Sequence, residues 1–404
     1  MPRLWAVDRH RERRVQDDDE SGSLKRGASS LARGARELGQ RLRTYPRAVV
    51  AATMLLSTLA VYLPFAGSLE KLFRYWDGPL YVFVAKTLYF VPEAHPFTLV
   101  DLPANYFASH LPLYSLLIRA LTPLTLGSYP AAMLLATMLS SVVSAVLFLE
   151  LLREWKLVSA PLWTGILFCF LPPRWVIYHA VGATEPLFFC FVFAALLAYR
   201  KQRHGWVIGF IVLASLTRIT GILLGPAFAL VYLWRRDYRH LALLPLAGLG
   251  LLALFCFYAV VFGDFFAYSS WNIERLGMLS PLPFEGFLRA ASSGNYRVTE
   301  LYVWLYLIYG VGLLALWEHK ELFAYSLVFF VFGTFVVAKD LTRYYVALAP
   351  FALLVGFDAI LSRPWCRPIL ALVVYLDYVY AWRAIPRNMA PRRVYEALQE
   401  FLAR

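Results

Sequence analysis

The stretch AVVAATMLLSTLAVYLPFA, residues 48–66, carries no charged side chain and is long enough to cross the hydrocarbon core of a bilayer. Similar apolar stretches recur almost to the end of the 404 residues, of which 60% are hydrophobic and 16% are charged. A chain inside a bilayer satisfies its backbone hydrogen bonds by forming helices. The sequence therefore predicts an all-α polytopic membrane protein with roughly 10–12 transmembrane helices, within residues 48–385.

Short basic loops predict how these helices are oriented. REWK, RKQRH, WRRDYRH, EHKE and SRPWCRP are mostly basic, which is typical of cytoplasmic loops. Residues 67–110 and 263–300 then become external loops that carry interfacial helices. Segment 111–126 is short and interrupted by Pro123, so we expect it to pack at the external face or to be re-entrant. The same alternation places the arginine-bearing C-terminal tail, residues 386–404, outside, so either segment 367–383 does not cross fully or the tail departs from the charge rule.

The first 47 residues have a different character from the rest of the chain. They contain 12 Lys and Arg against 7 Asp and Glu and no apolar core, which predicts a basic cytoplasmic tail, largely disordered or amphipathic. We expect the following span to act as an uncleaved signal-anchor. The net charge of +13 lies in loops beside spans, so it does not indicate a nucleic-acid partner.

Cysteine and glycine patterns exclude several classes of site. The four cysteines, Cys169, Cys190, Cys256 and Cys366, form no CxxC pair, which argues against a disulfide framework or a cysteine-ligated zinc site. The chain also contains no P-loop and no GxGxxG motif after a strand-like run. We therefore do not expect nucleotide-driven chemistry.

Asp77 stands between a tryptophan and a Gly-Pro step in RYWDGPLYVFVAK, residues 74–86, soon after the first apolar stretch. One interpretation is a carboxylate that caps the helix beginning at Gly78 and Pro79. The other is a general base that faces a cavity near the membrane. The two are compatible, because a cap also holds the carboxylate in place.

Two further candidates lie in HAVGATEPLFF, residues 179–189. Glu185 precedes a proline at the start of an apolar run, where a simple helix N-terminal acid is the ordinary interpretation. His179 is either a solvated loop histidine or a substrate contact. Both are retained as candidates for contacting a substrate.

Three basic residues lie beside spans on the side that the loop charges predict to be external. Arg218, in ASLTRITGILLGP, requires an anion, which is either Glu185 or Asp77 in the fold or a phosphate group. Lys339 and Arg343, in VVAKDLTRYYVALAP, are four residues apart and share one helix face. They suit a lipid-borne phosphate, or they are interfacial residues that snorkel to the membrane surface.

The order of these motifs resembles the GT-C superfamily of membrane glycosyltransferases. Within it, the chain is most similar to the PIG-V type, the second GPI mannosyltransferase and its prokaryotic relatives, over roughly residues 70–350. The matching positions are Trp76, Asp77, Tyr81, Thr184, Glu185, Thr217, Arg218, Gly221, Gly263, Asp264, Ala267, Tyr268 and Trp271, with Asn272 or Arg275 after them. TLYFVPEAHPF and ASHLPLYS, which contains His110, depart from the family pattern on the side that shapes acceptor binding.

The resemblance implies a GT-C fold and an inverting glycosyltransferase that moves a sugar, mannose, from a polyprenyl-phosphate carrier to an acceptor hydroxyl. The acceptor is a glycolipid, a glycan or a protein at the non-cytoplasmic face of a bacterial or archaeal plasma membrane. Asp77 is then the base, and Arg343, Lys339 and Arg218 bind the donor phosphate. We expect no metal and no cofactor. The expected substrate-binding residues are Trp76, Tyr81, His110, His179, Glu185, Asp264, Trp271 and Asn272.

Two other classes of function compete with this interpretation. A lipid-phosphate transporter or flippase would use the same cavity and cations, but it predicts internal pseudo-symmetry around a midplane site, and no internal repeat is evident. A structural subunit without chemistry predicts that Asp77, Glu185 and Arg343 tolerate replacement together.

Overall fold

Helices form nearly all the regular structure of the computed structural model, which describes residues 44–338 and 340–404. No strand occurs in these residues beyond two isolated bridges, Tyr75 with Met389 and Leu279 with Val336. The all-α prediction is confirmed for this part of the chain. The α-helices of five residues or more are α1 (Pro46–Tyr62), α2 (Asp77–Thr87), α3 (Pro112–Leu121), α4 (Tyr129–Glu154), α5 (Pro161–Phe168), α6 (Pro173–Tyr178), α7 (Glu185–Arg200), α8 (His204–Thr217), α9 (Leu224–Trp234), α10 (Tyr238–Leu243), α11 (Gly248–Phe262), α12 (Glu285–Ser292), α13 (Tyr296–Ala315), α14 (Lys320–Thr334), α15 (Leu341–Tyr345), α16 (Arg367–Ala384) and α17 (Arg392–Ala403).

Five helical stretches in the described residues are long and apolar enough to cross a membrane. They are Pro46–Phe65, Tyr129–Glu154, Tyr238–Phe262, Tyr296–Ala315 and Pro364–Arg387. The other apolar segments form shorter helices, such as α7 with 16 residues and α14 with 15 residues. The number of long spans in the described residues is thus below the predicted 10–12, because these helices are shorter than a straight crossing of the bilayer requires.

Segment 111–126 contains a helix too short to cross a bilayer. Helix α3 has ten residues, about 15 Å of rise, and a 3₁₀ turn at Thr122–Thr125 follows it. It packs on α2, where Ser115 Oγ donates to the Tyr81 carbonyl at 3.0 Å and Arg119 donates to the Ala85 carbonyl at 2.9 Å. Helix α3 therefore supports the helix that begins at Asp77.

The C-terminal residues expected to form a tail are folded against the first loop. The Trp76 N–H donates to the Asn388 carbonyl at 3.0 Å, and the Ala390 N–H donates to the Arg74 carbonyl at 2.7 Å. The Arg74 side chain returns to the Ala390 carbonyl through Nη2 at 2.8 Å. Helix α17 then continues along the loop, where Phe401 contacts Phe83 at 5.2 Å between ring centroids. Helix α16 therefore ends on the same side of the protein as residues 67–110.

A close approach of two glycines fixes the start of α2. A Cβ added to Gly182 would lie 2.7 Å from the Gly78 Cα and 2.3 Å from Met133 Sδ. No side chain fits there, because real Cβ contacts are never this short. The contact brings the first residue of α2, Asp77, next to the loop that ends at Glu185.

Candidate functional site

Four charged side chains from four distant segments meet beside this glycine contact. Arg343 Nη1 lies 2.5 Å from Asp77 Oδ2, and Arg343 Nε lies 2.7 Å from Glu185 Oε1. Arg218 Nη1 lies 2.6 Å from the same Glu185 oxygen and 3.1 Å from Thr184 Oγ1. Two acids and two arginines thus neutralise one another within a single network.

Both guanidinium groups point at one atom. Arg218 Nη1 and Arg343 Nε lie 2.6 and 2.7 Å from Glu185 Oε1. These two nitrogen atoms are therefore at most 5.3 Å apart. The Glu185 side chain is only 4% exposed, whereas Asp77 is 22% exposed. Glu185 is therefore the buried acid that holds the pair together, and Asp77 is the acid that a ligand can reach.

Local sequence explains why each charge lies here. Asp77 and Glu185 are the first residues of α2 and α7, where the helix dipole favours a carboxylate, and a proline follows each of them closely. Arg218 is extended, with φ −144° and ψ 135°, and interrupts two apolar helices. The chain can turn there because Gly221 has no Cβ, which would otherwise lie 2.2 Å from the Ala214 carbonyl carbon.

A second group of side chains, Tyr178, Asp340 and Arg174, supports Arg343. The Arg343 guanidinium lies 4.6 Å from the centroid of the Tyr178 ring, a cation–π contact. The Tyr178 hydroxyl donates to Asp340 at 3.3 Å, and Asp340 also pairs with Arg174 at 2.8 Å. Sequence reasoning missed Tyr178 and Arg174, since neither belongs to a motif and only the fold brings them to α15.

The charged network forms the head of a cavity of about 610 Å³. The polar end is lined by Trp76, Asp77, Tyr81, His110, Arg218 and Arg343. The remaining wall is mainly apolar and includes Ile219, Ile222, Leu223, Leu276, Phe332 and Val336. A cavity with one charged end and a long apolar wall suits an amphiphilic ligand.

Aromatic residues form another side of the same cavity. Tyr106 and Trp271 meet edge to face, with ring centroids 5.2 Å apart, and Arg275 lies 4.4 Å from the Trp271 ring. Among the described residues, the buried Trp271 Nε1 has no hydrogen-bond partner. Tyr106 was not among the predicted residues, although it lies in the segment 67–110 that was singled out as a loop. This wall offers ring faces and donors to a polar, planar or cyclic ligand group.

His110 is a buried histidine in the wall of the cavity. Its ring packs edge-on against Tyr81 at 4.9 Å, and its Nδ1 lies 2.9 Å from Ser109 Oγ. Burial lowers the pKa of His110 to about 4, an effect that the Asp77 carboxylate partly opposes. The imidazole is therefore neutral at physiological pH, and it can donate or accept one hydrogen bond.

Two of the described site candidates, His179 and Asp264, do not line this cavity. His179 is fully buried between Ser57 Oγ and Thr58 Oγ1, at 3.1 Å from each, so it braces helix α1. Asp264 accepts from the Phe266 N–H at 2.8 Å and from Ser270 Oγ, within its own turn. Lys339 lies outside the described residues. The predicted Trp76, Asp77, Tyr81, His110, Arg218, Trp271, Asn272 and Arg343 do line the cavity.

Glu185 lies beside the main cavity rather than in its wall. Its Oε2 atom is buried and has no hydrogen-bond partner in the described part of the chain. It borders a separate cavity of about 20 Å³ that Arg218 and Arg343 also line. That volume is enough for one water molecule. Glu185 thus acts on the site through the two arginines.

Sequence comparison adds no relative to this description. The chain matches no protein-family model, and no curated protein is similar to it. The geometry of the charged head and the apolar wall is therefore the basis on which a function is inferred.

Proposed function

We propose that this protein is an inverting glycosyltransferase that moves a sugar from a polyprenyl-phosphate carrier to an acceptor hydroxyl. The observation that carries the proposal is the pair of guanidinium groups, at most 5.3 Å apart, beside an accessible carboxylate at the head of an apolar-walled cavity. A lipid phosphate needs cations and an apolar groove at once. An acceptor hydroxyl needs a base nearby.

The donor phosphate binds Arg218 and Arg343 in this proposal. Two planar guanidinium groups that converge on one point can share the oxygens of one phosphate group. The carrier chain then lies along the wall that includes Ile222, Leu276 and Phe332. Lys339 remains a predicted third cation. Because these cations neutralise the leaving phosphate, we expect no obligatory divalent ion.

Asp77 serves as the general base. The acceptor oxygen forms a bond to the anomeric carbon while the bond from that carbon to the phosphate oxygen breaks. The acceptor proton passes to Asp77, and the phosphate leaves as an anion held by Arg218 and Arg343. A single displacement inverts the anomeric centre. Asp77 must first lose its contact with Arg343, which turns to the phosphate.

The aromatic wall accommodates the sugar being transferred. Trp76, Tyr81 and His110 line the cavity together with Asp77. Trp271 and Asn272, which belong to the second loop, line it as well. Their donors and ring faces suit a hexose, and mannose follows only from the likeness to PIG-V-type enzymes. The proposal places the cavity at the external face of a bacterial or archaeal plasma membrane, with the N-terminus cytoplasmic and a glycolipid, glycan or protein as acceptor.

The deciding experiment measures sugar transfer in liposomes from a panel of radiolabelled polyprenyl-phosphate sugars, with native membrane extract as the source of acceptors. Wild type is compared with Asp77→Asn and with Asp101→Asn, an exposed aspartate of the same loop. We expect wild type and Asp101→Asn to consume one donor and Asp77→Asn to lose ~100- to 10,000-fold in rate. Consumption by Asp77→Asn at more than half the wild-type rate would exclude Asp77 as the base. Movement of polyprenyl phosphate across the bilayer without transfer would instead favour a transporter.

A further inference from the structure

Two loops at the opposite end of helix α7 bring together a pair of histidines and an aspartate. His204 begins α8, and Asp237 and His240 lie at the start of α10. One ligand atom of each residue lies within 4.8 Å of those of the other two, and the two imidazole rings stack with centroids 3.6 Å apart. Helix α7 has 16 residues, so these loops lie about 24 Å along it from Glu185.

The hydrogen bonds of this cluster leave a ring nitrogen of His240 available. His240 Nδ1 lies 2.7 Å from Asp237 Oδ2, and a carboxylate can only accept, so Nδ1 carries the proton. Nε2 of His240 then holds an unprotonated lone pair, with no donor to it among the described residues. A histidine whose second nitrogen is held by a carboxylate in this way is the usual arrangement around a protein metal ion.

His204 is oriented in a comparable way. Its Nδ1 lies 2.8 Å from the Tyr232 hydroxyl, and its Nε2 lies 3.1 Å from Gln202 Oε1. The Tyr232 contact fixes the ring from one side. The Gln202 contact is exposed, so a cation can replace the proton shared between Gln202 and His204 without opening the buried structure.

We propose that His204 and His240 bind one borderline divalent ion of the zinc class through Nε2, while the Asp237 carboxylate accepts from the Nδ1–H of His240 and orients its ring. Imidazole nitrogens are ligands that Zn²⁺ and Ni²⁺ accept, whereas Mg²⁺ and Ca²⁺ prefer oxygen alone. The two rings turn out of their stack about the Cβ–Cγ bonds so that both nitrogens face the ion. The ion would tie the loop between α7 and α8 to the loop between α9 and α10.

This site is separate from sugar transfer and does not rest on it. The neighbouring Arg203 and Arg239 are exposed, so water and salt screen their charges, although they oppose a cation to some degree. Arg235 is already paired with Glu321. The half-exposed ligands and this basic surrounding predict binding in the micromolar range rather than the tight binding of a closed structural site.

The test is titration of Zn²⁺ into the full-length protein, purified in detergent without a polyhistidine tag. We expect one equivalent to bind wild type, with the affinity reduced at least ~10-fold in His204→Gln and in His240→Gln. His319→Gln, which changes a histidine in a different loop, should bind as wild type does. No binding to wild type, or unchanged binding to the double variant His204→Gln/His240→Gln, would overturn the proposal.

A second measurement needs no variant. Co²⁺ is titrated in place of Zn²⁺, and its visible absorption spectrum is recorded. This spectrum depends on the number of ligands around the ion. A four-coordinate spectrum with nitrogen ligands supports the site, and the spectrum of the fully hydrated six-coordinate ion contradicts it. This keeps the proposal testable if either histidine variant fails to fold.

Discussion

Arg343 Nη1 lies 2.5 Å from Asp77 Oδ2, so the accessible acid of the site is paired with a cation of the same site. Any anion that binds Arg343 competes with this carboxylate. The contact joins residues 266 positions apart in the chain. It therefore couples the segment 67–110 to helix α15. Binding of an anion to Arg343 and release of Asp77 from Arg343 are linked.

Removal of the Asp77 charge should strengthen anion binding. In Asp77→Asn, Arg343 no longer has a competing carboxylate, so we expect a polyprenyl phosphate to bind several-fold to about 10-fold more tightly. Arg343→Gln should weaken the same binding. Calorimetry with a short-chain polyprenyl phosphate measures both, and Asp101→Asn is the control for a simple change of surface charge. Weaker binding by Asp77→Asn would contradict the competition.

A lysine should not replace Arg343. The guanidinium bridges Asp77 and Glu185 through two different nitrogens, at 2.5 and 2.7 Å, and it packs on Tyr178. A lysine ammonium keeps the charge but lacks the fork that spans both acids. We expect Arg343→Lys to lower the transfer rate by ~100-fold while the protein remains folded. The matched control is Arg289→Lys, an exposed arginine in the second loop, and equal rates in the two variants would refute the bridging role.

The contact between Gly78 and Gly182 predicts that one methyl group added at Gly182 destabilises the protein, whereas the same addition at Gly209 does not. Gly182→Ala places a Cβ 2.7 Å from the Gly78 Cα, so α2 must shift, at a cost of about 1–3 kcal/mol, and Asp77 moves with it. Gly209→Ala adds the same atom in open space on a helix and should leave stability unchanged or slightly raised. Melting temperature and transfer rate measured on both variants check this. A Gly182→Ala protein with wild-type values would show that the backbone contact is not needed.

Acid should destabilise the protein partly through His110. Burial lowers its pKa from 6.5 to about 4, so the unfolded chain takes up a proton more readily than the folded one. The stability that the neutral ring contributes is complete above about pH 6.5 and is lost progressively as the pH falls toward 4. The melting temperature should therefore drop less between about pH 7 and pH 5 in His110→Gln than in wild type. An identical drop in both proteins would rule out this contribution.

An unpartnered carboxylate lies in helix α16 and offers a stability test of another kind. Asp377 is 4% exposed, and its Oδ2 has no hydrogen-bond partner among the described residues. A buried polar group without a partner costs about 1–3 kcal/mol, so Asp377→Leu should raise the melting temperature. A lower melting temperature would mean that Asp377 has a function that requires its oxygen atoms. The control is Asp358→Leu, which removes an aspartate that accepts from Ser159.

The order of the sequence motifs predicted most charged residues of the network, but not the residues that support Arg343. Asp77, Arg218 and Arg343 could be selected from sequence because a lone ionisable group next to an apolar run is costly unless it has a purpose. Tyr178 and Arg174 carried no such signal, since an aromatic residue and an arginine near a span are ordinary. His179 was selected for its type and its proximity to Glu185, and only the fold shows that it turns toward Ser57 instead.

The sequence predicted the presence of helices better than it predicted the residues at which they begin and end. Hydropathy marks an apolar stretch near 158–172, but helix α5 occupies only Pro161–Phe168 of it, and helix α6 begins after it at Pro173. The C-terminal residues 386–404 had no apolar run and therefore looked like a tail. Their amphipathic helix buries Val394, Tyr395 and Leu398 against the first loop, a partner more than 290 positions away in sequence.

The pairing of Arg74 with Ala390 has a consequence for biogenesis. These residues are 316 positions apart, so the backbone that carries Asp77 gains its last hydrogen bonds only after residue 390 has left the ribosome. Contacts of such long range form late, because the loop between them must first be ordered. The membrane helices would be inserted before Asp77 is locked in place. A nascent chain stalled before Asn388 would therefore span the membrane with Asp77 not yet held in position.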